Sequence, residues 1–369
     1  MPESGSIPLR VLHWPTDVGG HPGGLARAER EIGLDSTVAV IRRGRYGYPV
    51  DLDLNLGDRS RLDRLAGRTR MLLTAFRDFD VIHLNFAQAF WPTIGSIGLD
   101  LPLLRQAGKR IFVTLQGCDA RLPENCPACR DGCGQCPLSD SARRADAVAY
   151  AARHADRIFC LNPDLLDAAP GAIFMPYASV DPRALEPAPP TPHAGPLRVV
   201  PAPTDRVTKG TDAVLAACDR LGEAVDLRLA EGLPHAEALA QYAQADVIVD
   251  QLRIGWYGGL AAEGMALAKP VVCHSDPGRR ARVDPVMATE LPIVRADERT
   301  IESVLGLLAR QSHAERSLLG LRGRRFVERW HDPRHLARWI ARHYSLDPGA
   351  DPFIPAPVAA PAVPQSNAS

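Results

Sequence analysis

The chain has 369 residues, 46% hydrophobic and 23% charged, with 43 basic and 43 acidic side chains. That length and balance suit two soluble globular domains, each able to bury its own core. A formal charge of zero excludes nucleic acid as a partner held by bulk electrostatics.

The start, "MPESGSIPLRVLHWP", lacks a basic segment followed by an apolar core. No apolar run approaches the roughly 18–20 residues that span a bilayer, so a soluble, cytoplasmic protein is expected. From there, short apolar runs alternate with longer Ala/Leu/Arg segments. "PLRVLHW", "STVAVIRR", "DVIHLNF", "RIFVTLQG", "RIFCLNP" and "AIFMPYA" read as buried strands, with helical periodicity between them. The pattern breaks at the proline-rich "EPAPPTPHAGP", residues 186–196. It resumes with "LRVVPAP", "VDLRLAEG", "DVIVDQL", "PVVCHS" and "LPIVRAD". Strand–helix alternation predicts α/β architecture with parallel sheets, here two doubly wound Rossmann-like domains facing a cleft. The expected boundaries are 1–185 and 197–345, with 186–196 as linker. Terminal helices fill Ile301–Tyr344, and 346–369 reads as a disordered Pro/Ala-rich tail.

Ligands of parallel sheets sit beyond the carboxyl ends of the strands, which directs attention to the loops there. After "LRVV" comes "PAPTDRVTKG", carrying Arg206 and Lys209. Only Lys109, Lys209 and Lys269 are lysines, against 40 arginines, so a lysine on such a loop draws notice. Guanidinium and ammonium suit phosphate, while a solvated basic loop is the plainer alternative. After "DVIVDQL" comes "RIGWYGGLAAEGMALAKPVV". Its glycine turn puts Tyr257, Gly258, Gly259 and Leu260 at a helix start, where free N–H groups form an anion site.

These two blocks resemble the donor-binding domain of the GT-B glycosyltransferases, most closely the retaining, nucleotide-sugar-dependent family 4. "VTLQGCDAR" looks like that family's strand followed by His-Gly-x-Asp, and the resemblance runs over roughly residues 8–345. It implies transfer of a sugar from a nucleotide diphosphate donor, a UDP- or GDP-sugar being expected, to an acceptor the sequence does not identify. It implies that no cofactor is required and that Arg206 and Lys209 meet the leaving phosphates. Glu263 is then expected to accept hydrogen bonds from the donor ribose, the alternative being a buried carboxylate paired with an arginine. The glycine loop Gly19, Gly20, Gly23 and Gly24 is expected across the cleft, near phosphate and acceptor. Two positions depart from the family. Gly255 stands where a second glutamate is usual, and Gln116 replaces the histidine near the reacting sugar; glutamine hydrogen-bonds but does not titrate. Both departures make a catalytically idle nucleotide-sugar-binding homologue or scaffold the rival reading.

The insertion 118–137 gathers Cys118, Cys126, Cys129, Cys133 and Cys136. Cys126-x-x-Cys129 and Cys133-x-x-Cys136 are two knuckles of the kind that hold structural zinc, although a three-residue spacer is short. An iron–sulfur cluster and free thiols are the alternatives. Asp51-x-Asp53 and Asp78-x-Asp80 imitate a metal-binding triplet of another transferase fold. Residues 59–79 hold six arginines and two aspartates, a solvated face or, alternatively, a surface for an anionic membrane.

Overall fold

The computed structural model describes residues 8–44, 46–130 and 141–347, together with 349, 353 and 355. Every run read above as a strand forms one. The first half gives β1 (Arg10–Trp14), β2 (Asp35–Val40), β3 (Leu52–Asp53), β4 (Val81–Asn85), β5 (Arg110–Leu115), β6 (Arg157–Cys160) and β7 (Ile173–Phe174). The second gives β8 (Leu197–Pro201), β9 (Val225–Leu227), β10 (Val247–Val249), β11 (Val271–Cys273) and β12 (Val294–Arg295). Only β3 escaped the sequence reading, being two exposed residues without a periodic signal.

The strands form two sheets, ordered β3-β2-β1-β4-β5-β6-β7 and β12-β11-β10-β8-β9, with every pairing parallel. Chain order reverses beside β1 in one sheet and beside β8 in the other. The loops after those two strands therefore open at the switch points where ligands of such sheets bind. Both faces of the first sheet are apolar. Leu12, Trp14, Ile82, Leu84, Val113 and Leu115 pack on one side, and Val11, Val81, Phe112 and Phe159 on the other. Each such side chain, fully buried, stabilises the fold by about 1.5–3 kcal/mol.

The helix Pro333–Tyr344 follows the second sheet in sequence but packs on the first. Leu336, Ala337, Trp339, Ile340 and Tyr344 join the cluster around Val11 and Phe112. A buried polar network fixes it there. Tyr344 donates to Glu29 Oε1 at 2.9 Å, and His13 and Ser36 reach Glu29 Oε2 at 2.8 and 2.6 Å. His83 joins Tyr344 at 2.6 Å and Thr114 at 2.7 Å. Burial pushes the Glu29 carboxyl upward, but His13, Ser36 and Tyr344 outweigh it and hold it below the usual carboxylate range. Replacing Tyr344 with Phe leaves Glu29 and His83 each short of a partner. Urea unfolding of Tyr344→Phe is expected to show a loss of about 1–3 kcal/mol.

Candidate functional site

The loop after β8 is ordered from within. Asp205 caps the short helix Arg206–Lys209 by accepting the Thr208 N–H at 2.7 Å, and Gly210, at φ +69°, turns the chain into the helix Thr211–Leu221. Lys209 is thereby aimed inward. Its Nζ lies 2.6 Å from Asp250 Oδ1 and 3.0 Å from Gln251 Oε1. Asp250 follows β10 directly, and its Oδ2 accepts the Gly258 N–H at 2.6 Å. One buried carboxylate thus binds the lysine loop to the glycine turn.

That turn leads into the helix Gly259–Ala266. The Gly258 N–H is taken, while the Gly259 and Leu260 N–H groups have no acceptor among the described residues. They are the unsatisfied donors of a helix start and lie on the wall of a cavity. Glu263 stands one turn further along, buried, its Oε1 2.6 Å from His235 Nε2. The partner is a histidine at the start of the helix His235–Gln244, rather than the arginine weighed above. Hydrogen bonding to Glu263 raises the His235 pKa, and partial burial offsets some of that rise.

These groups share a cavity of about 520 Å³ between the two sheets. Its lining includes Gly19, Tyr46, Tyr48, Lys209, Gly259 and Glu263. Of the first domain's glycine loop, Gly19 reaches this cavity, and Gly20 and Gly23 line a smaller one beside it. Gly20 and Gly24 allow close packing. A Cβ on Gly20 would come within 2.8 Å of the Tyr48 ring, and one on Gly24 within 2.0 Å of the Ala178 carbonyl. Tyr48 in turn lies against His235, ring centroids 4.9 Å apart.

Other candidates sit elsewhere. Arg206 does not line the cavity; it forms a half-exposed two-pronged pair with Glu231, at 3.0 and 2.7 Å. Tyr257 is buried in the core, its hydroxyl 2.9 Å from His331 Nε2. Gln116 also lies outside the cavity lining, with its Nε2 3.4 Å from Asn85 Oδ1. The turn it begins is held by Asp119, which accepts the N–H groups of Gln116 and Gly117. Gly255 adopts φ +77°, where a glutamate would be strained. Lys109 and Lys269 donate to the carbonyls of Phe79 and Ala245, so scarcity alone does not mark a functional lysine. The aspartate triplets serve the fold: Asp51 accepts the Val38 N–H, Asp53 the Asn55 N–H, and Asp80 grips Arg10.

Cys126 and Cys129 are buried against Ile254, with Cys118 and Val207 alongside, so the insertion packs beside the lysine loop. Cys133 and Cys136 lie outside the described residues. Among the described residues no group of three or more His, Cys, Asp or Glu side chains could hold a metal.

Sequence reasoning named Lys209, Gly259, Leu260 and Glu263, and missed Asp250, His235 and Tyr48. Asp250, directly after a strand, was open to the same positional rule. Nothing in "EGLPH" or "RYGYP" marks the other two.

Solved structures match along most of the chain. Sucrose-phosphate synthase from Thermosynechococcus elongatus superposes with a TM-score of 0.61 at 14% identity, covering 92% of this chain and 99% of that one. The catalytic domain of starch synthase IV from Arabidopsis thaliana, bound to ADP and acarbose, gives 0.57 at 12%, over 92% and 99%. UDP-GlcNAc 2-epimerase from Neisseria meningitidis, bound to UDP-GlcNAc, gives 0.51 at 12%, over 92% and 100%. The likeness establishes the GT-B fold. No protein-family model matches the chain, and no curated protein matches it in sequence.

The histidine–carboxylate pair gives a pH signature. Its stabilisation is complete below the unfolded histidine value of about 6.5 and is lost as pH rises through the raised folded value. Melting profiles of the protein and of His235→Gln should differ most near pH 6 and converge toward pH 9, by about 1 kcal/mol for a pair whose histidine is partly solvated. A gap independent of pH would exclude a protonated His235.

Proposed function

We propose that the chain is a glycosyltransferase that moves a sugar, with retention, from a nucleotide diphosphate sugar to an acceptor hydroxyl, in glycan or glycoconjugate assembly. One observation carries the reading: Lys209, the free Gly259 and Leu260 N–H groups and the buried Glu263 converge on a single cavity at a switch point. The departing diphosphate carries about two to three negative charges, which those N–H groups and the lysine are built to meet. Glu263, too far along the helix to be meant for phosphate, accepts hydrogen bonds from ribose hydroxyls, and His235 holds it oriented until they arrive. Two neighbours of the same fold hold ADP and UDP-GlcNAc, which supports a nucleotide-sugar donor.

No enzymic nucleophile is required on this account. The leaving diphosphate takes the acceptor proton on the same face, and the chain's main task is to stabilise the charge that develops. Gln116 contributes hydrogen bonding on the acceptor side. Arg206 joins when it releases Glu231, its partner at the surface. Zinc at Cys126, Cys129, Cys133 and Cys136, with Cys118 as a further ligand, would be structural; metal analysis of purified protein finding none removes it.

The second reading, an idle nucleotide-sugar-binding homologue, is favoured by Gly255, whose backbone does not suit a sugar-binding glutamate. Donor hydrolysis separates the two, because a transferase releases nucleotide slowly with water as acceptor and a scaffold does not. Calorimetry against UDP-, GDP-, ADP- and TDP-sugars identifies the donor, and no binding to any of them removes both readings. Lys209→Ala is expected to lower transfer by about two to three orders of magnitude. Melting of the same variant is required beside it, because Asp250 loses its cation. Arg206→Ala should lower transfer as well, whereas Glu231→Gln, which frees the guanidinium, should tighten donor binding. Wild-type turnover in both Lys209→Ala and Arg206→Ala would exclude these cations from the mechanism.

A further inference from the structure

One face of the first domain contradicts the economy seen elsewhere. The helix Arg61–Asp78 buries Met71, Leu72 and Ala75, yet Leu62, Leu65 and Leu73 are 79%, 45% and 63% exposed. With Thr69 they recur at three- and four-residue intervals, a single stripe along the solvent side. Thr69 accepts the Trp91 indole N–H at 2.9 Å, and Arg68 reaches the Ala89 carbonyl at 2.7 Å, so the segment after β4 is pinned beside that stripe. There Ile94 and Ile97 exchange backbone hydrogen bonds of 2.9 and 3.2 Å around Gly95, at φ +56°. The result is a tight knuckle, braced by Arg153 on the Ser96 carbonyl. It presents Ile94, Ile97 and Leu99 at 88%, 67% and 66% exposure.

The charges around this surface are equally unusual. Most arginine pairs in the fold are closed, as in Arg10–Asp80, Arg198–Asp246 and Arg334–Asp181. Arg59, Arg61, Arg64 and Arg70 are exposed, and none has a carboxylate within ion-pairing distance among the described residues. A chain of zero net charge thus leaves open arginines on the same helix as an exposed apolar stripe.

We propose that this face docks on an anionic lipid bilayer. Exposed apolar side chains with open arginines on the same helix complement a surface that is apolar beneath and anionic above, which is what an anionic bilayer offers. Apolar side chains enter the acyl boundary while arginines beside them meet lipid phosphates. Among the described residues no helix is long and apolar enough to cross a membrane, so the contact is peripheral. The knuckle leaves the carboxyl end of β4, the sheet edge that also carries Gly19 and Gln116, and docking turns the mouth of the cleft toward the lipid. On the proposed function, that favours an acceptor presented at the membrane surface; the docking itself does not depend on it.

The test is co-sedimentation of the full chain with phosphatidylcholine vesicles, with and without about 30% phosphatidylglycerol, at low and at about 0.5 M salt. Binding to anionic vesicles is expected, weakened by salt. Ile94→Ser/Ile97→Ser and Arg61→Gln/Arg64→Gln/Arg70→Gln should each reduce it about tenfold with unchanged melting. Absence of binding at low salt overturns the proposal, as does binding that both variants retain. A dimer in sedimentation velocity that the isoleucine variant dissolves, without vesicle binding, would assign the face to a second copy of the chain instead. Since no nucleotide is present, these outcomes stand apart from the donor experiments.

Discussion

The site depends on where the Asp250 carboxylate lies. It is fully buried at the end of a central strand, and a buried charge without partners is costly by several kcal/mol. Its two oxygens are answered by groups from two different loops: Nζ of Lys209, from the loop after β8, and the N–H of Gly258, from the turn before Gly259–Ala266. Neither loop can shift without leaving that carboxylate exposed to a low-dielectric interior. The lysine and the free N–H groups of the helix start are therefore set in register by one interaction, before any ligand arrives.

The same interaction limits what Lys209 can do. Its charge is already balanced, so attraction for an anion comes from the uncompensated Gly259 and Leu260 dipoles and from whatever share of the lysine a phosphate can draw. Arg206 differs in kind. Its partner, Glu231, is at the surface, where such pairs contribute little and exchange readily. Two cations that look equivalent in the sequence differ in setting, Lys209 tied to a buried carboxylate and Arg206 paired at the surface. The glycine turn shows a similar division. Gly258 serves the fold by donating to Asp250, and only the next two residues keep donors for a ligand.

Both sheets were legible because parallel strands buried on both faces read as short apolar runs, whatever the rest of the chain does. Lys209, Gly259 and Leu260 were legible because each lies on the loop or turn that follows a strand, and Glu263 through the motif that resembles the family's. What the sequence could not supply was partner choice. Glu263 meets His235 across a loop of no special pattern, and Tyr48 arrives from the other domain through a gap that only glycine at position 20 leaves open. Tyr257 lies beside the right glycines, yet its ring turns to the core and its hydroxyl to His331. Local spacing places a backbone; tertiary packing decides which way a side chain faces. The helix Pro333–Tyr344 makes the same point, since its apolar face could have served either sheet.

The polar network beneath that helix reaches as far as Gln116. Tyr344 has a single hydroxyl proton, and Glu29, which cannot donate, receives it. The Nδ1–H of His83 then points to Tyr344, and its Nε2 accepts from Thr114. His13 reaches the same carboxylate through Nε2, and Asn85 offers its amide N–H to the His83 carbonyl at 3.3 Å, beside His13 Nδ1. That orients Asn85 with its Oδ1 toward Gln116, which answers with its own Nε2. The Gln116 Oε1 is left without a partner from this chain of bonds. The network thus uses one Gln116 N–H inside the fold and leaves its Oε1 and its second N–H outside these bonds, so the glutamine keeps both an acceptor and a donor.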